Sequence, residues 1–331
     1  MTGAIVGTGY MGMKHAEILQ KLTDKLLLCS TDEATGKNLA KKYGGSFYRN
    51  YRQMMDEGKP DFISVCVPTF LHVEVVKAAL ERAIPVLCEK PFTLEWESAA
   101  DLLALSRKKN TLLMVAHCLR FSKPYAYLKR CLEDGRYGAL KRLHMYRNSA
   151  RPNWSADNWF ANVQRSGGII RDLHIHDTDM SVNLLGVPNA VFTAGGDEGC
   201  TTFFCYGDIV VTADASWRNA SAYPFSAGFD AVFEKACLVY EKEVLTLFEG
   251  QSQTQPLDTE IFPAELASDD MMENELRYFV RCVMSGEAPL LCKPEETVES
   301  IFVSCAQSRS AQKHGFESIT VSRSQRELEG F

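Results

Sequence analysis

The stretch 4-AIVGTGYMGMKH-15 decides the fold of this chain. An apolar run leads into Gly7, Gly9 and Gly12, which are spaced as G-x-G-x-x-G, and a helical pattern follows them. In this arrangement the first glycine permits a tight turn, the second lets the backbone approach a pyrophosphate, and the third lets the helix pack close to the strand. The free N–H groups of the helix then face the phosphates. The stretch therefore predicts the first strand–turn–helix unit of a dinucleotide-binding Rossmann domain.

The same rhythm continues outward from this stretch through residue 120. Short apolar runs alternate with amphipathic helical patterns, and the runs lack the in–out alternation of a strand with one solvated face. The runs cover residues 4–6, 26–29, 61–67, 85–88 and 111–116. Repeated strand–helix–strand units predict an α/β domain with a doubly wound parallel sheet over residues 1–120.

Past residue 120 the pattern changes, as expected of a 331-residue chain that is too long for one core. Strand-like segments follow one another between residues 190 and 248, and two helices are predicted at 269–285 and 295–313. Within 209–218 every second residue is apolar and the others are mostly polar, which is typical of an antiparallel sheet with one buried face. Residues 121–331 therefore predict an α+β domain with a large, mostly antiparallel open sheet.

Composition and charge exclude several classes of protein. The formal net charge is −6, whereas a nucleic-acid binder usually presents a basic stripe. No apolar run reaches the ~20 residues that a membrane helix needs, and the first residues read as a strand rather than a leader. The 11 cysteines form no C-x-x-C pair, and several lie in apolar runs where a free thiol acts as a small hydrophobe. We expect a reduced, cytoplasmic protein that binds neither nucleic acid nor membrane.

Two further motifs stand at the ends of the strand-like runs 61–67 and 85–88, VPTFLH at 67–72 and CEKP at 88–91. In doubly wound sheets, ligands bind outside the carboxyl ends of the strands. Lys90 is therefore expected to point at the reacting part of the cofactor. The alternative is a solvated surface lysine, which is the commoner fate of this residue type.

The segment RDLHIHDTD at 171–179 contains two histidines and three aspartates. At about 100° per residue, one regular helix places Asp172, His176 and Asp179 within roughly 60° of each other and His174 on the opposite side. Because the histidines are two residues apart rather than four, we predict no metal site. Asp172 and His176 lie among apolar residues, and a buried polar pair needs a partner or a purpose. His174 is expected to be structural or to line the pocket wall.

Together these segments resemble the glucose–fructose oxidoreductase/inositol dehydrogenase/MocA family. The resemblance rests on the glycine motif, Pro68-Thr69-x-x-His72, Glu89-Lys90-Pro91 and GGIIRDLHIHDTD at 167–179, and the layout covers essentially the whole chain. It implies an NAD(P)-dependent enzyme that oxidises or reduces a sugar, polyol or similar hydroxyl compound. It further implies that Lys90, Asp172 and His176 form the active site. Of the two arginines that many members carry before the second domain, only Arg120 is present.

We hypothesise that a substrate C–H loses a hydride to the nicotinamide while His176 takes the hydroxyl proton, since an imidazole accepts and returns protons near neutral pH. Lys90 stabilises negative charge on the same oxygen, and Asp172 orients His176 or holds a neighbouring hydroxyl. Trp159 and Phe160 either stack on a sugar ring or pack within their loop. The residues predicted to bind substrate are Lys90, Arg120, Trp159, Asp172 and His176.

Two other functions stay open. One is an enzyme that retains NAD and oxidises its substrate only transiently, to eliminate a group or cleave a glycosidic bond. The other is a catalytically inactive dinucleotide sensor, which would have no need of a base. Family resemblance also implies that the uncovered face of the second sheet meets another subunit, giving a homodimer or homotetramer.

The end of the second strand bears on the choice of cofactor. Ser30 stands where the family usually has an aspartate for the ribose 2′-hydroxyl, and Thr31 follows it. Hydroxyls are compatible with a 2′-phosphate, but Asp32 and Glu33 would repel it, so NAD is expected and NADP is the alternative. The residues predicted to bind the cofactor are Gly7, Gly9, Tyr10, Met11, Gly12, Ser30, Thr31, Pro68, Thr69, His72, Glu89 and Lys90.

Overall fold

The computed structural model describes residues 1–152, 156–218 and 220–319, with the side chains of 156–158 left out. The chain forms two compact units. Unit 1 contains Met1–Cys118 and Met272–Val298, and unit 2 contains Leu119–Met271 and the described part of Glu299–Arg323. The predicted division into domains at residue 120 stays a prediction about independently folding parts.

Unit 1 is built on a six-stranded sheet with the order β3-β2-β1-β4-β5-β6, in which all neighbouring strands are parallel. The strands are β1 (Thr2–Val6), β2 (Lys25–Cys29), β3 (Ser46–Tyr48), β4 (Phe62–Val65), β5 (Val86–Glu89) and β6 (Leu113–Ala116). The helices between them are α1 (Tyr10–Leu19), α2 (Glu33–Lys42), α3 (Tyr51–Gly58), α4 (His72–Glu81) and α5 (Trp96–Lys109). The central strands are buried throughout, because helices cover both faces of such a sheet. The predicted doubly wound parallel sheet is confirmed.

Unit 2 is built on a nine-stranded sheet with the order β14-β13-β12-β11-β7-β10-β9-β8-β15. Its strands are β7 (Leu140–Ala150), β8 (Ala190–Gly196), β9 (Gly199–Tyr206), β10 (Ile209–Arg218), β11 (Ser226–Phe233), β12 (Ala236–Glu241), β13 (Val244–Glu249), β14 (Ser252–Thr254) and β15 (Glu317–Ser318). Its helices include α6 (Lys123–Asp134), α7 (Val163–Ser166), α8 (Gly168–Asp172) and α9 (Ile175–Leu185). Only the pair of β7 and β10 is parallel among the described pairs, so the predicted mostly antiparallel sheet is confirmed.

The alternation along β10 decides which face of this sheet is buried. Val211, Ala213, Ala215 and Trp217 are buried, whereas the residues between them are half-buried or exposed. Val211 and Ala213 join an apolar core with Tyr125 of α6 and Met180 of α9, whereas Ala215 and Trp217 belong to a smaller cluster with Ile169 and Leu173. One face of the sheet is therefore packed against helices, as predicted.

The last two helices are α10 (Met271–Ser285) and α11 (Pro294–Lys313), both within two residues of their predicted bounds. Residues 272–298 belong to unit 1, so the chain returns there after completing most of the second sheet. In unit 1 the ring of Phe279 on α10 packs edge-on against Phe62 of β4, with centroids 5.4 Å apart.

Candidate functional site

The glycine turn of unit 1 requires glycine for steric reasons. Gly7 has φ +98, and a Cβ there would lie 2.4 Å from the carbonyl oxygen of Cys66. A Cβ on Gly12 would lie 1.9 Å from the carbonyl oxygen of Gly7. These contacts explain the turn and the close helix–strand packing.

Gly9 differs from these two glycines, because a Cβ there would meet nothing within 4 Å. It is the N-cap residue of α1, with no side-chain cap, and the first turn of the helix carries no acidic residue. The N–H groups of that turn therefore suit an anion. Together with the open space above Gly9, this arrangement fits a dinucleotide pyrophosphate. Tyr10 is 51% exposed and Met11 is half-buried beside it.

The end of β2 carries a small hydroxyl network. Thr8 donates from its hydroxyl to the Ser30 hydroxyl oxygen at 2.7 Å, and the Asp32 N–H donates to the same oxygen at 3.1 Å. Ser30 is thereby joined to the glycine turn, while Thr31 is exposed. Asp32 caps α2 by accepting from the N–H of Thr35 at 3.1 Å, and the hydrogen bonds from Thr35 lower the pKa of its carboxyl.

Glu33 pairs with Lys37 at 2.6 Å and with Arg49 at 3.4 Å. Arg49 follows β3, a strand of three residues that the sequence pattern does not reveal, and β3 pairs with β2. Two cations thus lie beside the acidic residue that was expected to repel a 2′-phosphate. A short strand of this kind leaves too few positions for a recognisable alternation.

The ends of β4 and β5 are joined through His72. Its Nε2 lies 2.9 Å from the Val67 carbonyl oxygen and its Nδ1 lies 2.9 Å from the Pro91 carbonyl oxygen. Burial lowers the pKa of this histidine. Pro68 precedes the 3₁₀ turn Thr69–Leu71, in which Thr69 is buried. The geometry gives His72 a backbone-bridging position, and its predicted contact with the cofactor stays a prediction.

Glu89 is the last residue of β5 and is buried. Its Oε1 lies 3.0 Å from Nε2 of His15, and its Oε2 accepts from the Lys90 N–H at 3.1 Å. Lys90 is half-buried and precedes Pro91 through a cis peptide bond. His15 is fully buried in α1, and sequence reasoning overlooked it because its partners are 49 and 74 residues away.

In unit 2 the segment that was predicted as one regular helix is broken. Helix α8 ends at Asp172 and α9 begins at Ile175. The N–H groups of Leu173 and His174 both donate to the carbonyl oxygen of Ile169, at 3.0 and 2.9 Å. The prediction of one regular helix is therefore wrong, and the angles calculated for such a helix do not apply between Asp172 and the residues of α9.

The structure separates the polar residues of this segment by their surroundings. Asp172 is 9% exposed and His176 is half-buried. His174 is fully buried, with Nε2 at 2.9 Å from the Thr202 hydroxyl, and burial together with the charge of Arg147 lowers its pKa to about 3. His174 is therefore a core residue that stays neutral near pH 7.

Asp179 belongs to a buried ion pair. Its two carboxylate oxygens accept from Arg120 at 2.9 and 2.8 Å, and one of them also accepts from the Ser300 hydroxyl at 2.8 Å. The Arg120 side chain is 0% exposed. Its predicted contact with substrate stays a prediction, which this burial does not support.

Trp159 and Phe160 stack on each other, with ring centroids 4.1 Å apart and an interplanar angle of 21°. Both are half-buried in the 3₁₀ segment Ala156–Ala161, and part of the preceding loop, 153–155, lies outside the described residues. The two rings therefore pack against each other within their loop, and stacking of Trp159 on a substrate ring stays a prediction.

The predicted site residues thus fall into two groups. Unit 1 holds the glycine turn, the hydroxyl network at Ser30 and the strand ends with Lys90, and unit 2 holds Asp172 and His176. The predicted grouping of Lys90 with Asp172 and His176 stays a prediction. Within the described residues, no three His, Cys, Asp or Glu side chains are arranged to hold a metal ion. None of the described helices has the length and apolar character needed to cross a membrane.

Comparison with known proteins agrees with these two groups. A family model described as an oxidoreductase family with an NAD-binding Rossmann fold matches residues 1–117. A model of the GFO/IDH/MocA C-terminal domain matches residues 125–239. The first description confirms the prediction of NAD as cofactor.

Two curated relatives and one solved structure illustrate the similarity. The 2,7-anhydro-N-acetylneuraminate hydratase of Escherichia coli is 26% identical over 194 residues, covering 58% of this chain and 52% of the relative. The myo-inositol 2-dehydrogenase of Thermotoga maritima is 28% identical over 185 residues, covering 55% and 54%. The chain therefore spans about half the length of these curated relatives. A levoglucosan dehydrogenase in complex with NADH and levoglucosan has a TM-score of 0.83 at 18% identity, covering 96% of this chain and 99% of that one.

Proposed function

The chain belongs to the GFO/IDH/MocA oxidoreductase family, and on that premise we propose that it is an NAD-dependent dehydrogenase or reductase of a CH–OH group. The substrate class is a sugar, a polyol such as an inositol, or a sugar derivative. The observation that carries the proposal is the glycine turn, where Gly7 and Gly12 are sterically required and the space above Gly9 is open. We further propose a cytoplasmic homodimer or homotetramer whose partner is this small molecule.

When bound, NAD supplies the acceptor for the hydride that leaves the substrate carbon. Within the chain, His176 takes the hydroxyl proton, because imidazole is the side chain best suited to accept and return a proton near neutral pH. Lys90 places its ammonium group against the same oxygen and stabilises the charge that develops there. Asp172 holds His176 or a neighbouring hydroxyl. The position of Lys90 at the carboxyl end of β5, next to the buried Glu89, supports this assignment.

A second candidate is an enzyme that oxidises its substrate only transiently and returns the electrons within the same turnover. The Escherichia coli relative is named as a hydratase, and hydration involves no net oxidation. The Thermotoga maritima relative is named as a dehydrogenase, which favours net oxidation. Both functions would use the same glycine turn to bind the dinucleotide.

A substrate panel separates the two candidates. Sugars, inositols, anhydrosugars and anhydro-sialic acids are incubated with the protein and NAD or NADP, and absorbance of the reduced nicotinamide is followed while products are separated by mass spectrometry. We expect reduced cofactor to accumulate in proportion to one oxidised product. Product formation without accumulation would favour transient oxidation. Dinucleotide binding without any product from the panel would favour the inactive sensor.

Replacement of His176 tests the role of the base. His176→Gln should lower kcat by on the order of 10²–10⁴, as for loss of other general bases, and leave NADH affinity nearly unchanged. His144→Gln is the matched control, because His144 lies on strand β7 of unit 2, with its Nδ1 within hydrogen-bond distance, 3.0 Å, of the Thr212 hydroxyl oxygen. Turnover of the His176 variant within twofold of the control would remove His176 from the base role.

A further inference from the structure

A compact polar cluster lies inside unit 1, between α1 and the strands β4 and β5. His15 is fully buried, with Nδ1 at 2.7 Å from the Ser64 hydroxyl oxygen and Nε2 at 3.0 Å from Oε1 of Glu89. The sulfur of Cys66 lies 3.5 Å from Nδ1 of His15. Glu89 is also nearly inaccessible to solvent. These groups are shielded from water, so their charges interact strongly.

The chemistry of the cluster favours a charged pair. A buried carboxylate without a countercharge is costly, and an imidazolium supplies both the charge and an N–H toward Glu89. Its second N–H then donates to the Ser64 hydroxyl. Burial alone would lower the pKa of His15, but Cys66 and Glu89 raise it well above its ordinary range.

Glu89 shows the matching shift. Burial alone would raise its pKa, but the hydrogen bond and charge of His15 lower it, with smaller contributions from Lys90 and His72. The charged or titratable groups that face the pair are thus Cys66, Lys90 and His72. Both shifts favour an imidazolium beside a carboxylate at neutral pH.

The pair connects two parts of the dinucleotide site. His15 lies in α1, the helix that begins at the glycine turn, and Glu89 ends β5. The second carboxylate oxygen of Glu89 accepts from the backbone N–H of Lys90 at 3.1 Å. The Glu89 carboxylate therefore links α1, the helix that follows the glycine turn, to the backbone of Lys90. In the residue after Lys90, the carbonyl oxygen of Pro91 lies 2.9 Å from Nδ1 of His72.

We propose that His15 and Glu89 are positioning residues. They form a buried imidazolium–carboxylate pair that fixes the Lys90 backbone relative to α1, the helix that follows the glycine turn. Glu89 then acts through His15 and the backbone of Lys90 rather than by touching the cofactor. The effect on catalysis rests on the proposed function, because it requires Lys90 to act on the substrate. The charged state of the His15–Glu89 pair does not depend on the proposed function.

The charge state is tested first, by NMR titration of the histidine side chains in the full chain without cofactor. The His15 resonance is assigned by its absence in His15→Gln. We expect it to stay at the imidazolium position from pH 6 through pH 8, above the ordinary pKa of about 6.5, and to move toward neutral in Glu89→Gln. A neutral His15 ring at pH 7 in the unaltered protein would overturn the proposal, even if the variants fail to fold.

The positioning role is tested with His15→Gln, Glu89→Gln and the double variant, with Glu89→Asp as the conservative replacement. Asp56→Asn is the control, since Asp56 forms an exposed ion pair with Arg82 in the same unit at 2.7 Å. Each single variant should weaken NADH binding and lower kcat about tenfold or more, and the double variant should be no worse than either, because the two residues act as one unit. Glu89→Asp should recover part of the loss.

A purely structural pair would give another result. Its variants would unfold at lower temperature, yet below that temperature they would keep the NADH dissociation constant and kcat of the Asp56→Asn control, or their effects would add. Either result would overturn the positioning role. If the unaltered protein binds NADH but turns over no substrate, the proposed function fails, while NMR and NADH binding still decide whether the pair is charged and coupled.

Discussion

A single buried imidazole, that of His174, links the stability of unit 2 to pH. Its Nε2 contacts the Thr202 hydroxyl, and its Nδ1 has no hydrogen-bond partner within the described residues. A second ring proton would therefore be buried without an acceptor, in agreement with a pKa of about 3. The unfolded chain, with a histidine pKa of about 6.5, binds this proton far more readily. Stability from this group is thus present above pH 6.5 and decreases as the pH falls toward 3.

Replacement of His174 tests this linkage. Between pH 7 and pH 5 the group should reduce the free energy of unfolding by about 2 kcal/mol. His174→Gln lacks the titrating ring, so its unfolding midpoint should fall less over this pH range than that of the unaltered protein, although it starts lower. Asn183→Gln, a change on α9 of the same unit that removes no titrating group, should retain the full pH dependence. Equal pH dependence in His174→Gln and the unaltered protein would contradict the buried neutral ring.

We expect Ser30, at the end of β2, to contact the adenosine ribose of the cofactor. Its hydroxyl oxygen accepts from Thr8 and from the N–H of Asp32, which leaves its own proton available to donate. A carboxylate there would instead accept from a ribose 2′-hydroxyl and repel a 2′-phosphate. We expect the unaltered protein to bind NADH more tightly than NADPH, and Ser30→Asp to widen the ratio of their dissociation constants about tenfold or more. An unchanged ratio would show that this position does not contact the ribose.

At the scale of elements, a buried ion pair joins α9 to the 3₁₀ turn that contains Arg120, and a hydrogen bond to the same carboxylate joins α9 to α11, all within unit 2. Asp179 on α9 accepts from Arg120 and from Ser300 on α11, and both charged side chains are almost completely buried. Removing one charge of such a pair leaves the other without compensation, which typically costs 3–5 kcal/mol. An exposed pair contributes at most about 1 kcal/mol.

Two carboxylate-to-amide variants compare these cases. Asp179→Asn should lower the free energy of unfolding by about 3–5 kcal/mol, measured by chemical denaturation of the full chain. Asp134→Asn, in the partly exposed pair with Arg136, should cost about 1 kcal/mol or less. Similar losses in both variants would mean that Asp179 is not held as the structure shows.

The strands and helices also show which parts of the fold sequence patterns can predict. Five of the six parallel strands were predictable because each is a mostly buried apolar run, and the sheet of unit 2 was predictable because β10 alternates strictly. Strand β3 was missed because three residues show no periodicity. The break between α8 and α9 was missed because it depends on a shared backbone acceptor, Ile169, and on the burial of His174, neither of which periodicity records.

The same limit applies to the candidate site. The glycine turn is local, so its residues and their roles followed from spacing alone. Pairs such as His15 with Glu89 and Arg120 with Asp179 join residues 74 and 59 positions apart, and only the folded chain reveals them. The assignment of Arg120 to substrate, which stays a prediction, was made without knowledge of its partner Asp179, and His15 was overlooked.

At the scale of the whole molecule, the sheet of unit 2 has one face that stays partly exposed among the described residues. Leu143 pairs with Val211 and Ala231, Ala231 with Leu238, and Leu238 with Leu247, and all five are buried on the inner face. The neighbouring residues along each strand therefore point to the opposite face. Among them Val210 is 45% exposed and Phe248 is 41% exposed. Val210 and Phe248 are the ends of a cross-strand row, Val210–Arg142–Val232–Cys237–Phe248, in which four of the five side chains are apolar. Adjacent, partly exposed apolar side chains of this kind favour contact with another subunit.

We therefore expect the protein to associate through this face as a homodimer or homotetramer. Light scattering at micromolar concentration should give two or four times the 37.0 kDa mass of one chain. Val210→Glu and Phe248→Glu should each shift the mass toward one chain, because a desolvated, unpaired carboxylate opposes burial of the face. Ile261→Glu is the matched control, since Ile261 is 85% exposed and lies in a loop outside the sheet. A mass of one chain for the unaltered protein would show that this face stays in contact with solvent.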